Sequence, residues 1–421
     1  MMTVDIERIK TTLLELAKFG FNEHDKGVYR LGFSEVDWEA RRWLMNLLDS
    51  EGFDPRMDGA GNVYGCYGPP GKPTVTIGSH LDSVPAGGIF DGALGVVAGL
   101  EVLRVCAAER LTLESPIEVL ATSEEEGRFG GMLGAQAIAG VLTPEFLLNA
   151  HDADGNKLAD AMRARGLEPI QAMDARRTKD TMRAFIELHV EQGPVLDKLG
   201  KTIGVVDSIA GVFKWIIHLK GKADHAGTAP MDMRSDAFMG MADFAHEIPR
   251  IIAENGTERS RLTVGKVELK PGSPHTIPGE AIFTLVGRDS SARVMQELCD
   301  ICRRALSAIA RRHNLMFEYE QVSWLDPKDC SRDIIELFER HAELGGYTYR
   351  RMPSGAGHDT QFFVDFTQAG MIFVPSVGGI SHAPDEWTHW KDVEAGANLL
   401  LSAALELAGA AETPAVAGQT G

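Results

Sequence analysis

Apolar residues recur with two different periods over the first half of the chain. In the segment "SEVDWEARRWLMNLLDSEG", Trp43, Leu44 and Leu47 fall on one face of a predicted helix. Ser34 and Asp37 are spaced like a capping box at the start of that helix. Helical patterns such as "ALGVVAGLEVLRVCAAER" alternate with strand-like apolar runs, "PTVTIG", "PIEVLAT" and "AFIELHV". This alternation predicts an α/β domain with a mostly parallel sheet that helices cover on both faces.

The pattern changes at about residue 210, where "FKWIIHLKG" alternates like a half-exposed strand. One helix, two strands, a second helix and a last strand follow it, and the order β-α-β-β-α-β is the ferredoxin-like plan. Helix–strand alternation then resumes. We therefore predict that an α/β domain formed by residues 1–209 and 326–412 is interrupted by an inserted α+β ferredoxin-like domain, residues 210–325. Residues 413–421 are predicted to form a flexible tail.

Charge and hydropathy argue against several classes of partner. The chain of 421 residues has a formal net charge of −18. That charge disfavours nucleic acid and anionic membranes, because phosphate binding requires a basic surface. No apolar run reaches the roughly 20 residues that span a bilayer, and the start "MMTVDIERIKTT" lacks the apolar core of a signal peptide. We expect a cytoplasmic protein.

Cysteine usage fits the same compartment, since the 5 cysteines are few and odd in number. Cys299 and Cys302 form a C-x-x-C motif, which is a pattern found in redox and zinc sites. They lie in a segment of helical period, and no second cysteine pair or metal-spaced histidine accompanies them. We predict that both cysteines belong to a buried helix face.

Polar clusters follow four of the predicted strands. "HLD" follows "PTVTIGS", "SEEEG" follows "PIEVLAT", His189 closes "AFIELH", and "SVGGISHAPDE" follows "GMIFVP". Each cluster alone has an ordinary explanation, since a histidine at a strand end is often structural and a glutamate triplet is often a solvated turn. Ligands of open α/β sheets bind beyond the carboxyl ends of the strands. Four clusters at that one edge therefore favour a functional site.

The residue types in these clusters indicate a metal centre. Imidazole and carboxylate ligands without thiolates suit zinc, manganese, cobalt or nickel. The number of ligands exceeds the three that one catalytic zinc requires and fits two metals about 3.5–4 Å apart that share a carboxylate. Asp91 is the natural bridging ligand, because it precedes a predicted helix and lies among glycines. A capping role for Asp91 is compatible with that function.

Six motifs carry a family resemblance. They are "GSHLDSVPAGGIFDGALGVVAGLEVL", "EEEGRFGG", "ELHVEQGPVL", "KADHAGTAPMDMRSDA", "PSGAGHD" and "GGISHAPDE". In this order they resemble the amidase/hydantoinase/carbamoylase branch of the M20 metallopeptidases, which includes N-carbamoyl-L-amino-acid hydrolases, allantoate amidohydrolases and β-ureidopropionases. The resemblance covers nearly the whole chain.

The resemblance implies two divalent metal ions per subunit, as zinc, manganese, cobalt or nickel. His80 and His189 would bind one metal, Glu126 and His382 the other, and Asp91 both.

The resemblance also implies roles for two carboxylates beside the ligands. Asp82 would orient the imidazole of His80 through its carboxylate, and Glu125 would be the general base. Members of the family usually read D-E-E-G where this chain reads Glu124 to Gly127. We align the two on the glycine, and a register shifted by one residue stays open.

His225 in "ADHAGTAP" would donate a hydrogen bond to the developing oxyanion. In relatives this histidine reaches the site of the partner subunit, so the resemblance implies a homodimer formed through the inserted domain, which would also act as a lid. The alternative for His225 is a turn residue beside Gly227.

Further residues are implied to contact a small-molecule substrate that has a carboxylate. Arg288 would bind the carboxylate, since a guanidinium suits bidentate carboxylate binding. Gln192, Gly357 and His358 would line the same pocket. Arg234 is an alternative anchor for the carboxylate, although we favour a structural pairing for it.

Two departures from the family pattern lie in the inserted domain. His275 stands in "SPHTIP" where relatives usually carry Asn, and Val286-Gly287-Arg288 stands where relatives usually read D-I-R or D-C-R. Both changes face the substrate in the family, so they leave the substrate open while the metal positions are intact.

The resemblance implies a metal-dependent amidohydrolase that cleaves the ureido C–N bond of an N-carbamoyl amino acid by means of a hydroxide that bridges the metals. The products would be the amino acid, ammonia and carbon dioxide. One alternative is hydrolysis of allantoate, ureidoglycolate, an N-acyl amino acid or a dipeptide at the same site. Another is a non-catalytic binding protein on a peptidase scaffold.

Overall fold

A computed structural model describes residues 2–411 of the protein; the predicted tail, 413–421, lies outside this range. Within it, the strands are β1 (Arg56–Met57), β2 (Val63–Tyr67), β3 (Thr74–His80), β4 (Ile117–Thr122), β5 (Met182–Val190), β6 (Ile203–Ile209), β7 (Gly211–Lys220), β8 (Asp224–His225), β9 (Arg261–Lys270), β10 (Thr276–Ile277), β11 (Glu280–Asp289), β12 (Met316–Leu325), β13 (Lys328–Asp329), β14 (Tyr349–Ser354) and β15 (Gln368–Val374). The α-helices of the same range are α1 (Ile6–Ala17), α2 (Glu35–Ser50), α3 (Ala93–Ala108), α4 (Leu133–Ala139), α5 (Pro144–Asn149), α6 (Leu158–Ala164), α7 (Val195–Leu199), α8 (Ala237–Asn255), α9 (Ala292–Arg312), α10 (Arg332–Leu344), α11 (Thr360–Phe363) and α12 (Trp390–Leu407).

The chain forms two compact units. The second unit comprises Ser208–Asp329 and Pro353–Gly357, and the rest of the described chain forms the first. The sequence prediction placed residues 353–357 with the catalytic domain, but the Ser354 carbonyl accepts a hydrogen bond from the Ala210 N–H at 2.9 Å. This contact attaches the short segment to the second unit.

The sheet of the first unit has the strand order β1-β2-β4-β3-β5-β15-β6. Its centre, β4-β3-β5-β15, is parallel, whereas β1, β2 and β6 pair antiparallel with their neighbours. The sheet is therefore mixed, and the prediction of a mostly parallel sheet holds for its centre alone. Only a short turn joins β1 to β2, and parallel strands would require a crossover of a dozen or more residues.

The central strands position the polar clusters. Every residue of β3 and β4 is buried, and α3, which follows the "HLD" cluster, is buried on nearly all sides. Since β3, β4, β5 and β15 are parallel, their carboxyl ends meet at one edge of the sheet, where ligand sites of such sheets form. The α/β class of this unit was predicted correctly.

The second unit has a four-stranded antiparallel sheet of order β12-β7-β11-β9. Helices α8 and α9 pack on it around a core that includes Phe213, Phe244 and Phe283. The chain order is β-α-β-β-α-β, as predicted, apart from the additional short strands β8 and β10. Cys299 and Cys302 are both buried in this core as free thiols, which confirms the predicted helix face.

Among the helices of residues 2–411, none combines the length and the apolar character needed to cross a bilayer.

Candidate metal centre

Two buried imidazoles from neighbouring strands face one oxygen of Asp91. Nε2 of His80, at the end of β3, lies 3.3 Å from Asp91 Oδ1. Nε2 of His189, in β5, lies 3.2 Å from the same oxygen. All three side chains are buried, and their potential ligand atoms lie within 4.8 Å of one another. We call His80, His189 and Asp91 the first ligand group.

The tautomers of the two imidazoles test whether this group fits a cation. Nδ1 of His80 lies 2.9 Å from the Asp82 carbonyl oxygen, and Nδ1 of His189 lies 2.9 Å from the Val190 carbonyl oxygen. A carbonyl can only accept, so both Nδ1 atoms carry a proton, and when the rings are neutral each presents the lone pair of Nε2 to Asp91. Asp91 Oδ1 is itself buried without a hydrogen-bond donor among the described residues. With neutral rings three acceptors converge, and positive charge between them stabilises the arrangement; a divalent metal fits this donor set.

The other oxygen of Asp91 faces a second ligand group, formed by Asp91, Glu126 and His382. Nε2 of His382 lies 3.5 Å from Asp91 Oδ2 and 3.4 Å from Glu126 Oε2. Glu126 Oε1 is buried and has no hydrogen-bond partner among residues 2–411. The side chain of His382 is 49% exposed, so the second group is open to solvent where the first is closed. Because Asp91 offers one oxygen to each group, it can bridge two cations.

Gln192 was predicted to contact substrate, and its side chain lies beside the second ligand group, in contact with Asp91 and His382. Its Nε2 donates to Asp91 Oδ2 at 2.7 Å and lies 3.2 Å from His382 Nε2. Both Gln192 and His382 have left-handed backbone conformations, with φ of 57° and 54°. Such conformations in residues other than glycine are strained and concentrate at functional sites. Nothing in the sequence pattern indicated this strain.

The electrostatics of the groups agree with a need for cations. Burial raises the pKa of Glu126 to about 8 and the pKa of Glu125 well above its usual value. Burial also opposes ionisation of Asp91, but positive charge on the facing imidazoles of His189 and His80, when each carries a second proton, holds the pKa of Asp91 well below its usual value. The carboxylates are therefore ionised only where positive charge faces them.

Glu125 lies beside both ligand groups and is buried. Its Oε2 is 3.7 Å from His80 Nε2. Glu124, the first residue of the triplet, is also buried, but its carboxylate accepts hydrogen bonds from the backbone of Phe129 and Gly131 at 2.6 and 3.2 Å. Glu124 thus stabilises the following loop, and Glu125 and Glu126 are the members of the triplet that face the ligands.

Asp82 has a different role from the one predicted. The imidazole of His80 is held by the backbone carbonyl of Asp82, as described above, and not by its carboxylate. The carboxylate instead accepts the N–H groups of Glu125 and Glu126, at 3.2 Å to Oδ1 and 3.0 Å to Oδ2. Asp82 therefore fixes the backbone that carries Glu125 and Glu126, and it is a positioning residue.

A buried arginine connects Asp82 to strand β4. Arg41 in α2 is fully buried and pairs with Asp37 at 2.9 Å. Its Nη2 donates to the Thr122 carbonyl at 2.9 Å and lies 3.9 Å from Asp82 Oδ1. The guanidinium thus joins α2, the end of β4 and the residue that holds the glutamate backbone.

Glu386 is a further site residue that the sequence reasoning did not single out, although its motif was noted. Its Oε1 accepts the backbone N–H groups of Phe90 and Asp91 at 3.2 and 3.0 Å, and Oε2 accepts the hydroxyl of Ser381 at 2.9 Å. Ser381 also lies 3.2 Å from Asp91 Oδ2. Glu386 thus fixes the loop of the bridging carboxylate to the segment that carries His382.

A third cluster, Glu187 with His189 and His358, also has ligand atoms within 4.8 Å of one another. Glu187 is already engaged, since it accepts the hydroxyls of Ser79 and Thr360 at 2.8 and 2.6 Å. His358, predicted to line the substrate pocket, is buried, and its ring lies 4.6 Å from that of His189, centroid to centroid. Through the contact between the His358 and His189 rings, this cluster packs against the first ligand group.

In the second unit, His225 lies in β8 and His275 immediately precedes β10, the strand that pairs with β8. Nδ1 of His225 accepts the N–H groups of Gly227 and Thr228 at 3.1 and 3.2 Å. The proton of the neutral ring is therefore on Nε2, which can donate. The carbonyl of His275 accepts the N–H of Ala226 at 3.0 Å, so its backbone supports the loop after His225.

Arg234 and Arg288 contact backbone carbonyls within the same unit. Arg234 donates to Ala226 and Ala229 at 2.7 and 3.0 Å, and it thereby stabilises the loop that follows His225. Arg288 Nη1 donates to the carbonyl of Gly355 at 2.9 Å, in the segment that includes Gly357.

Gly287 belongs to one of the two departures from the family pattern, and the packing around it explains why a glycine stands there. A Cβ atom at Gly287 would lie 2.2 Å from the ring of Phe213. Phe213 thus fills the space that the larger residue of relatives would require.

The chain is similar to known proteins over nearly its whole length. Residues 76–406 match the model of peptidase family M20/M25/M40. The chain is 37% identical over 401 residues to an N-carbamoyl-L-amino-acid amidohydrolase of Paenarthrobacter aurescens, which covers 94% of this chain and 96% of that protein. It is 32% identical over 415 residues to an allantoate amidohydrolase of Escherichia coli (strain K12), with 97% and 99% covered. A crystal structure of a hydantoinase/carbamoylase family amidase from Burkholderia multivorans superposes with a TM-score of 0.89 at 34% identity, with 96% of this chain and 98% of that chain covered.

Proposed function

The chain belongs to peptidase family M20/M25/M40, and on that premise we propose that it hydrolyses the ureido C–N bond of an N-carbamoyl amino acid. The reaction consumes one water and releases the amino acid, ammonia and carbon dioxide. The observation that carries the proposal is the bridging position of Asp91, whose two oxygens face two separate imidazole–carboxylate groups. The printed name of the relative at 37% identity supports the choice of substrate.

The proposed cofactors are two divalent cations, as zinc, manganese, cobalt or nickel. His80 and His189 would hold one, Glu126 and His382 the other, and Asp91 both. When bound, such a pair would supply a readily deprotonated water and would polarise the carbonyl of the substrate.

Glu125 is the proposed general base. Its carboxylate is buried and lies 3.7 Å from a nitrogen of the first ligand group, so it would lie beside a water held by the cations. Burial raises the pKa of Glu125, and the positive charge of the bound cations would keep its carboxylate ionised, so that it could accept the proton of the water. It can then deliver that proton to the departing nitrogen.

The second unit is proposed to complete the site as a lid and as the dimer interface. His225 would stabilise the oxyanion, and the proton on its Nε2 supports that role, because an oxyanion requires a donor. Arg288 would bind the substrate carboxylate, with His275, Gly357 and the backbone around His358 nearby.

Release of ammonia from N-carbamoyl-L-amino acids by the metal-loaded protein tests the proposal. Glu125→Gln should abolish most of the turnover, and Glu145→Gln is the matched control, since Glu145 is exposed in the first turn of α5 and belongs to neither ligand group. His225→Ala should lower turnover without a change in metal content. Absence of ammonia release from apolar, acidic and β-amino acid substrates alike would contradict the proposed substrate class.

Allantoate is the second candidate substrate, because His275 replaces the usual Asn and one relative at 32% identity is named for that activity. A neutral imidazole has one donor and one acceptor, but they lie on separate ring nitrogens and do not reproduce the adjacent oxygen and NH₂ group of an amide side chain. Assays of allantoate, ureidoglycolate and N-acetyl amino acids beside N-carbamoyl amino acids distinguish these substrates.

A further inference from the structure

A cavity of about 520 Å³ opens in the first unit beside the second ligand group. Glu126 and Asp82 are among its lining residues. Its walls come from the loop before α2, which provides Leu31, and from the loop after β3, which provides Val84 and Pro85. We call it the Leu31 pocket. Because Glu126 lines both the pocket and the ligand group, a substrate bound at the cations can extend into the pocket.

The positive charge of Arg128, which lines the Leu31 pocket, is already paired with a carboxylate. Arg128 donates from Nε and Nη2 to Asp152 Oδ2, at 3.1 Å each, and from Nη1 to the Gly32 carbonyl at 3.0 Å. Asp152 also accepts the side-chain amide of Asn156. Three of the five N–H donors of Arg128 are therefore engaged, and its positive charge is offset by the Asp152 carboxylate.

The remaining charged groups of the pocket are acidic. Asp154 lies on the lining with an exposed side chain, and Asp82 and Glu126 also line the pocket. The proposed cation would offset Glu126, so an acidic group on the ligand would meet the negative charge of Asp154, while the charge of Arg128 is already paired with Asp152. Leu31 and Val84 are half-buried and Pro85 is exposed, so these three offer apolar surface instead.

We propose that the Leu31 pocket binds the side chain of the substrate amino acid and selects large apolar side chains over small and acidic ones. This inference rests on the proposed function, because it assigns a subsite of the same reaction. The volume lies within the range of small-molecule sites and can accept a leucine, methionine or phenylalanine side chain. One methylene in an apolar pocket changes kcat/KM by about 10-fold or more, so we expect at least that preference for N-carbamoyl-L-phenylalanine over N-carbamoyl-L-alanine.

Two substitutions with opposite effects on the pocket volume test the proposal. Val84→Phe narrows the pocket, so it should lower the phenylalanine-to-alanine ratio of kcat/KM by about 10-fold or more. Leu31→Ala widens the pocket, and it should raise the tryptophan-to-phenylalanine ratio of kcat/KM, measured with N-carbamoyl-L-tryptophan and N-carbamoyl-L-phenylalanine. Val141→Phe is the matched control, because Val141 is 51% exposed and does not line the pocket. N-carbamoyl-L-aspartate should be the poorest substrate of the unmodified protein.

The outcomes separate this inference from the proposed function. If the protein hydrolyses N-carbamoyl amino acids but both variants keep the ratios of the unmodified protein, the pocket assignment is wrong and the function stands. If the unmodified protein hydrolyses none of them, the function and the pocket assignment fall together. Leu31→Ala only removes atoms from a half-buried side chain, so it decides the question if Val84→Phe does not fold.

Discussion

Replacement of Asp82 by Asn perturbs the backbone that carries Glu125 and Glu126, while it preserves the shape of the side chain at position 82. The carboxylate is 1% exposed and accepts one backbone N–H at each oxygen, from Glu125 at 3.2 Å and from Glu126 at 3.0 Å. An amide can accept only at its oxygen, so Asp82→Asn places an NH₂ group against one of the two buried N–H donors. The variant also loses the negative charge 3.9 Å from Arg41.

The cost of this substitution follows from the contacts. A hydrogen bond to a charged group contributes about 1.5–3 kcal/mol, and a buried unsatisfied donor carries a similar penalty. Part of this cost lowers the stability of the folded protein whether or not a cation is bound. If a loss of about 1.4–2.8 kcal/mol acts through the position of Glu126, the affinity for the second cation falls by about 10- to 100-fold, which is the range seen for residues that orient metal ligands.

Calorimetric titration of the metal-free protein with zinc or manganese provides the assay, and the His382→Ala background provides the control. In that background the second ligand group is already disabled, so Asp82→Asn should weaken the remaining binding step only slightly. If the carboxylate instead orients His80, as the sequence alone suggested, Asp82→Asn will weaken the remaining step as strongly as it weakens binding to the unmodified protein. That result would refute the positioning role.

Three further substitutions have expected outcomes. Glu125→Gln should lower kcat by at least about 100-fold, as for loss of a general base, while atomic absorption finds an unchanged metal content; loss of metal would mean that the glutamate register is shifted by one. Gly92→Ala should abolish the first cation site in a titration, because Gly92 has a φ of 64° and a Cβ there would lie 2.4 Å from the ring of His80; wild-type affinity would contradict this geometry. Glu386→Ala should lower cation affinity more than Glu386→Gln does, since the glutamine keeps an oxygen for the N–H of Asp91, and equal affinities of the two variants would exclude the positioning role.

The edge of the sheet that carries the ligand groups could be predicted from sequence. His80 and His189 close apolar runs, and the carboxyl ends of parallel strands meet by necessity. The family resemblance, carried by ordered motifs, is confirmed by the match of residues 76–406. The prediction that Asp91 binds a cation rests on the histidines and carboxylates around it, which can be identified in the sequence.

The roles that depend on hydrogen-bond direction could not be predicted. The spacing of Asp82 from His80 is the same whether the carbonyl or the carboxylate holds the imidazole, and only coordinates distinguish the two. Glu386 lies 295 positions from Asp91 in the chain, so no local pattern links them. Strand β2, "VYGCY", has too weak an alternation to show that it runs antiparallel to β4.

The central claim is that Asp91 bridges two cations, and the metal stoichiometry of the purified protein measured by mass spectrometry tests it most directly. We expect two equivalents per chain in the unmodified protein, one in His382→Ala, and a loss of both in Asp91→Ala. An Asp91→Ala variant that folds and retains two tightly bound cations, or an unmodified protein that saturates at one equivalent, would contradict the account.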